Sequence, residues 1–430
     1  MKKTLYILSL LFLISCSATT VLTPPTALTQ ETPMAAKEKM PDVAKIDAFI
    51  QSYIDEGKLP GGTFYAAHKG KVIYHKSFGN KYVATAYTNN DIYRIASMTK
   101  AITTVAIMQL YEQGRLKLDD PLEKYIPAFA EPVVLQKLNQ RDSSFTTTPA
   151  GKSITLRHLL THTSGLYYGL FEGGDRFAAY IKSNIEEFGF AAPGLTTSQM
   201  ANMVAKAPLA HKPGEQWTYG LNMDILGAVV EVISKVELDE YFQKNIFNPI
   251  GMKNTAFNIP KSKHAQIVPL YTYDKTGKLK IDESELWMFP ALPDEGCYFG
   301  GGGLSSTAKD YGLFVQMLLD NGQSNGGQIL SRHTVEFMAT EQIAHLNKQG
   351  KGMTSIPGIS FCLGHALVTS DGGGIGPHKP GTYSWGGYFN SKWWVDKEEE
   401  LVFVGMTNVL PFPYSEFWDR LYPIIYATIE

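Results

Sequence analysis

Ser97 and Lys100 are the residues whose types and spacing first offer chemistry. They stand in Arg94-Ile95-Ala96-Ser97-Met98-Thr99-Lys100, and from there to Gly114 apolar residues appear on nearly every side. That pattern predicts a helix buried inside a larger body. Its β-branched residues need burial to stay helical, and Gly114 offers a left-handed stop. An ammonium in the first turn of such a helix is opposed by desolvation and by the positive end of the helix dipole. Both effects move Lys100 toward a neutral amine that can act as a base. Ser97 lies three residues earlier on the same face, with Cβ atoms about 5–6 Å apart. A hydroxyl beside such an amine is an activated nucleophile. The plainer reading has Ser97 capping the helix and Lys100 snorkelling to water. A second Ser-x-x-Lys, Ser306-Thr307-Ala308-Lys309, shows that the spacing alone leaves both readings open.

Other residues could join this pair. Tyr219, in Trp217-Thr218-Tyr219-Gly220-Leu221, opens an apolar helix; its phenol could serve as a base only beside a cation, and Lys100 could be that cation. The alternative is a packed ring with a satisfied hydroxyl. Trp385-Gly386-Gly387 falls in a predicted strand, 383–390, and two glycines there suit a backbone that something must approach, whether a substrate or a bulge. His158 and His162 are four apart on one expected helix face, but Leu159 stands where a zinc protease has glutamate, so structural roles are expected and no metal. The glycine runs 300–303 and 372–374 lack the following Lys-Ser or Lys-Thr of a phosphate loop and suit close backbone approach or a mobile rim. Gly-x-Ser-x-Gly is absent.

These residues need positioning by a sizeable scaffold, and 430 residues with 44% hydrophobic content supply one, with more than one lobe expected. A formal net charge of −2 without basic clusters gives no footprint for nucleic acid. Apolar spacing predicts a helix from Asp42 to Gly57, strands at 63–68 and 72–78 joined at Lys69-Gly70-Lys71, and the central helix. The stretch 115–295 shows helix signals, many loops and little strand alternation. Strands follow at 359–368, 383–390 and 401–407, with a closing helix at 418–429. The expectation is an α+β fold: one antiparallel sheet flanked by helices, built from 41–114 and 296–430, with a mainly helical lobe inserted at 115–295.

The first fifteen residues read as an export signal, Lys2 and Lys3 before an apolar run too short to span a bilayer. Leu13-Ile14-Ser15-Cys16 resembles a bacterial lipoprotein cleavage box, which implies a lipid on Cys16. The Thr, Ala and Pro-rich segment to about 40 would then be a tether, and Ser17 points to the outer membrane, facing the periplasm. Cys297 and Cys362 would meet an oxidising compartment; pairing and two buried free thiols stay equally open.

Taken in order, Ser97-Met98-Thr99-Lys100, Leu159-Leu160-Thr161-His162-Thr163-Ser164-Gly165-Leu166, Pro213-Gly214 through Tyr219 to Leu226-Gly227, Phe247-Asn248-Pro249-Ile250-Gly251-Met252, Gly303-Leu304-Ser305-Ser306-Thr307-Ala308 and Trp385-Gly386-Gly387 make a series. The chain resembles the serine β-lactamase and penicillin-binding-protein superfamily, nearest to class C β-lactamases and their related carboxylesterases. The resemblance covers about 42–430. It implies an acyl-enzyme hydrolase with no cofactor. Ser97 would be the nucleophile, Lys100 and Tyr219 would share the proton work, and the backbone amides of Ser97 and Tyr388 would form the oxyanion hole. It also makes the second Ser-x-x-Lys a landmark loop. Two departures matter: the usual Tyr-Ser-Asn reads Tyr219-Gly220-Leu221, with Asn222 one place late, and the usual Lys-Thr-Gly reads Trp385-Gly386-Gly387. The second removes a cation that holds a lactam or D-Ala carboxylate and moves weight to esters, though His378, Lys379 or Lys392 could still bring charge. The expected substrate is a small ester, with an amide or lactam, cleaved by a β-lactamase or D,D-peptidase, as the alternative. A non-catalytic envelope binder is a third reading.

Overall fold

The computed structural model describes residues 42–139, 142, 144–169, 194–283, 296–353, 356–369 and 378–429. The export signal, Cys16, the tether and the glycine run 372–374 lie outside these residues. Helices α1 (Ala44–Asp55), α2 (Thr99–Glu112), α3 (Leu156–Leu160), α4 (Asn222–Ser234), α5 (Ala308–Leu319) and α6 (Glu416–Tyr426) frame the sheet and the site. The main sheet is formed by β1 (Gly61–His68), β2 (Lys71–Tyr82), β3 (Thr85–Ala86), β4 (Ile359–Phe361), β5 (Ala366–Val368), β6 (Tyr383–Gly387), β7 (Ser391–Asp396) and β8 (Leu401–Met406). Its order is β4-β5-β6-β7-β8-β1-β2-β3, antiparallel throughout. Together these make an α+β fold in which the sheet joins the two ends of the chain.

The turn between β1 and β2 forms as the sequence demands: Lys69 and Gly70 both take positive φ, 50° and 71°, the geometry that matches the twist of a tight hairpin. The two faces of the sheet are packed differently. Val402, Val404, Trp393 and Tyr65 lie in one core with α2 and α5, while Phe64, Leu401, Phe403 and Trp394 lie in another with α1 and α6. Strand β7 therefore buries both faces and shows no polar alternation, which hides it from a periodicity reading.

The expected strand at 359–368 is instead a hairpin, β4 turning into β5 at residues 362–365. Gly364, at φ 82°, makes the turn against the central helix; a methyl there would lie 2.0 Å from Thr104 Oγ1. The expected central helix and closing helix are α2 and α6. Among its described residues the stretch 115–295 carries α3, α4 and other short helices between long irregular segments, and also two short hairpins that its sequence did not announce. These pair Val133–Leu138 with Phe145–Pro149, and Tyr271–Tyr273 with Leu279–Ile281. Cys297 and Cys362 are both free thiols, and burial pushes both well up from their ordinary value.

Candidate active site

The turn into α2 is the structural centre of the site. Ala96 takes φ 42°, a left-handed conformation strained for a residue with a side chain, and it is completely buried. A single 3₁₀ turn, Ala96–Met98, then leads into the helix. Within 94–100 every residue is buried except Ser97, which is partly exposed. The strained step thus lifts one hydroxyl out of an otherwise sealed segment.

Lys100 is 0% exposed, which excludes the snorkelling alternative. Its Nζ makes three polar contacts: Ser97 Oγ at 3.1 Å, the Tyr168 hydroxyl at 3.1 Å and the Gly301 carbonyl oxygen at 2.6 Å. The rings of Tyr219 and Tyr168 face it with centroids at 4.8 and 5.3 Å. Close approach explains the glycine run 300–303. A methyl on Gly301 would lie 2.5 Å from the Asp224 carboxylate, and one on Gly300 would lie 2.6 Å from the Met223 carbonyl oxygen. Asp224, in the first turn of α4, is itself fully buried. It accepts from the Gly301 backbone N–H at 2.8 Å and from the Tyr168 hydroxyl at 3.5 Å. Burial pushes its carboxyl up to about 6, against the opposing pull of Lys100 and of these hydrogen bonds.

Tyr219 sits between aromatic walls. Its ring packs on His162, Tyr168, Trp385 and Trp217, with centroid distances of 4.7, 5.4, 5.5 and 6.1 Å. Trp385 Nε1 donates to the Tyr219 hydroxyl oxygen at 3.2 Å, leaving its proton and remaining lone pair for another partner. Lys100 thus meets Ser97 at its hydroxyl and Tyr219 at its ring face, while the phenol oxygen that its Nζ bonds is that of Tyr168. Trp385 joins them through β6.

Strand β6 reaches the Ser97 turn at its glycines. A methyl on Gly387 would lie 2.4 Å from the Ile95 carbonyl oxygen and 2.3 Å from Ser391 Oγ. Tyr388 packs on Ala96 just beyond. On its other edge β6 pairs with β5 through Tyr383 and Ser384. Among the described residues, 385–387 therefore have no strand partner on that edge, which runs beside the turn that carries Ser97.

Several expectations are corrected by the geometry. His158 and His162 do not share a helix face, because α3 ends at Leu160 and His162 lies beyond it at φ 54°. Each holds backbone instead. His158 Nδ1 accepts from Thr155 N–H, and His162 Nδ1 accepts from Asn222 Nδ2 at 2.8 Å and Gly220 N–H at 3.3 Å. Burial holds His162 well below its usual range, and thus neutral. Asn222, one place late in the sequence, faces this network and Ser164 rather than Lys100. Nor do His378 and Lys392 bring charge to Ser97. Lys392 stands opposite Gly386, on the face away from Gly387 and Ser391, and feels Asp419 of α6. His378 packs on Trp394 and Tyr422 of that same face. Lys379 lies 3.5 Å from Glu398. At the second Ser-x-x-Lys, Ser306 Oγ bonds Thr255 while Lys309 is exposed, so no pair forms.

Tyr168 and Asp224 were missed. Asp224 carried a signal, being an acid among Met223, Ile225 and Leu226 that could not be buried without partners. Tyr168 carried none, because its place depends on how the loop after α3 folds back onto α2.

The Beta-lactamase family model matches residues 46–423. Protein Rv1367c of Mycobacterium tuberculosis is 30% identical over 373 residues, covering 85% of this chain and 89% of its own. Esterase EstB of Burkholderia gladioli is 27% identical over 383 residues, 85% of this chain and 90% of its own. Among solved structures, EstCE1, a hydrolase with promiscuous acyltransferase activity, superposes with a TM-score of 0.73 at 25% identity, covering 89% of this chain and 98% of its own.

Proposed function

Because the chain belongs to the beta-lactamase family, a family with esterase and acyltransferase relatives, we propose that it is a serine hydrolase that works through an acyl-enzyme on Ser97 and cleaves small carboxylic esters. The observation that carries this reading is the set of contacts at Lys100 Nζ. A backbone carbonyl can only accept, and the Tyr168 oxygen, with its proton directed to Asp224, also accepts. In a neutral amine these two neighbours use both N–H bonds. The remaining lone pair then faces the Ser97 hydroxyl proton.

Ser97 Oγ attacks the ester carbonyl as its proton passes to the Lys100–Tyr219 pair. The carbonyl oxygen becomes an oxyanion held by the backbone N–H groups of Ser97 and Tyr388; each such donor is typically worth about 10²–10³ in rate. Collapse expels the alkoxide, which takes the stored proton. Water then attacks the acyl group, returning its proton through the same pair. The unpaired edge of residues 385–387 gives the substrate a strand to lie along, and the rings of Trp217, Tyr219 and Trp385 favour an uncharged one.

With Lys392 and His378 on the opposite face of the sheet, neither replaces the cation that receives a lactam or D-Ala carboxylate. Ester cleavage therefore stands ahead of lactam or peptide cleavage. The test is turnover of 4-nitrophenyl acetate by the mature protein, abolished in Ser97→Ala, with mass spectrometry placing the acyl adduct on Ser97. Full activity in that variant removes Ser97 from the mechanism, and faster turnover of a chromogenic cephalosporin reverses the ranking. Inertness toward both, and toward a phosphonate probe, leaves a binding protein.

The same proposal places the enzyme in a bacterial envelope, anchored by lipid on Cys16 to the outer membrane and facing the periplasm. Labelled palmitate incorporated by the wild-type chain and not by Cys16→Ala is the expected result.

A further inference from the structure

Asp224 is a completely buried carboxyl with no step of its own in the proposed reaction. Buried carboxylates are costly unless something holds their charge. Its two oxygens reach the base by two routes. Oδ1 accepts from the N–H of Gly301, whose carbonyl oxygen receives Lys100 Nζ at 2.6 Å. Oδ2 accepts from the hydroxyl of Tyr168, whose oxygen receives Lys100 Nζ at 3.1 Å. The carboxyl and the amine thus meet through Gly301 and Tyr168.

We infer that Asp224 is a positioning residue for proton transfer, which by holding the Tyr168 O–H toward itself keeps the Lys100 lone pair directed at Ser97. The inference rests on the proposed role of Ser97 and Lys100. A hydroxyl has one proton to direct. While Asp224 is a carboxylate it takes that proton, so Tyr168 can only accept from Lys100. Once the carboxyl is protonated it donates to the Tyr168 oxygen instead. Tyr168 then turns its proton to the Lys100 lone pair, where it competes with Ser97. The carboxylate also balances the ammonium that Lys100 becomes on accepting the Ser97 proton, in a place with no solvent to do so.

The groups facing this carboxyl come from several elements. Lys100 acts from α2 and Tyr168 from the loop after α3. Cys297, in the segment before the glycine run, is pushed up by burial and then by Asp224, and Glu231 of α4 lies beyond it. His162, neutral in its buried seat, faces Lys100 from the end of the α3 turn. Lys100 is the amine among them. Asp224 itself, pushed up to about 6 by burial, takes its proton within the ordinary pH range.

The experiment uses the full chain with Asp224→Asn, Tyr168→Phe and the double variant, assayed on 4-nitrophenyl acetate from about pH 4.5 to 9, a span that brackets the carboxyl. Asparagine keeps an oxygen for the Gly301 N–H but offers Tyr168 a donor, so it copies the protonated state. We expect kcat to fall about 10–100-fold, less than the roughly 10²–10⁴ of removing a general base because the base itself stays, with KM little changed. The acid limb of kcat/KM should move to lower pH, because the carboxylate no longer takes a proton there and no longer favours one on its neighbours. In the Tyr168→Phe background the same substitution should cost less than about threefold, since the hydroxyl it redirects is gone. An unmoved or raised acid limb overturns the inference, as do multiplicative losses in the double variant. Should Asp224→Asn fail to fold, the cycle is run with Asp224→Ser, read the same way. If Ser97→Ala stays active the proposed function falls; if it is dead while the Asp224 profile is unmoved, only this inference does.

Discussion

Replacing Gly387 by alanine tests whether β6 and the nucleophile turn work as one unit. The new methyl would lie 2.4 Å from the Ile95 carbonyl oxygen, where ordinary contact begins at 3.4 Å. The strand or the turn must therefore yield by about 1 Å. Ser97 stands two residues beyond Ile95, so that displacement falls between the nucleophile and the edge that receives the carbonyl. Misplacement of about 1 Å typically costs about 10² in rate, while overpacking costs about 1–3 kcal/mol of stability. Gly405 supplies the control. A methyl there would lie 2.5 Å from the Trp418 ring, equally crowded but on the α6 face of the sheet. We expect Gly405→Ala to lower Tm by several degrees and leave kcat/KM for 4-nitrophenyl acetate within about threefold. Gly387→Ala should lower kcat/KM about 100-fold at a similar loss of Tm. If Gly387→Ala keeps half of the activity, or if Gly405→Ala loses as much, the strand edge has no special part in catalysis.

Tyr219→Phe should reduce kcat by about 10²–10⁴, the span of general acid–base effects, with a near-normal Tm because the ring still fills its aromatic seat. Ser306→Ala and Lys309→Ala should leave ester turnover unchanged, a direct comparison of the two Ser-x-x-Lys copies. Lys81 and Asp91 form a buried ion pair at 2.7 Å, and Asp91→Ala, which strands the ammonium, should cost about 3–5 kcal/mol in urea unfolding. Acid should destabilise the fold before it protonates most carboxylates. Burial lowers His158 and His378 to about 4 and His365 to about 3, from an ordinary 6.5. The unfolded chain binds these protons first, so their contribution is complete above about pH 6.5 and is lost as pH falls toward 4 and below. At about pH 5 the loss is on the order of 2 kcal/mol per histidine, and His365→Phe should flatten the measured slope.

What could be read from the sequence divides along physical lines. The Ser97–Lys100 pair was legible because its helix is apolar all round, so the one ammonium stood out, and the structure seals it completely. The β1–β2 hairpin was legible from its turn chemistry. The glycines at 300–303 correctly announced a backbone meeting something close, though which group they met, the Asp224 carboxylate, required three dimensions. The hairpin at 359–368 and strand β7 were lost for one reason: both are buried on both faces, and periodicity cannot locate a turn or a strand where polar and apolar residues do not alternate between solvent and core. His162 misled by spacing. Four residues imply a shared helix face only if the helix continues, and here the chain leaves it at Thr161. Tyr168 was invisible, since a tyrosine in a loop carries no local mark of the amine it will meet.

Strand β1 pairs with β8 from Thr63 with Met406 to His68 with Leu401. More than three hundred residues separate these partners in the chain. Contacts so remote in sequence form late, because a long loop must close before they return anything. A nascent polypeptide thus carries Ser97 for most of its synthesis without the sheet that seats it. The arrangement around Ser97 comes into being only when the last strand slots in, so under the proposed function any fragment released earlier is inert toward esters.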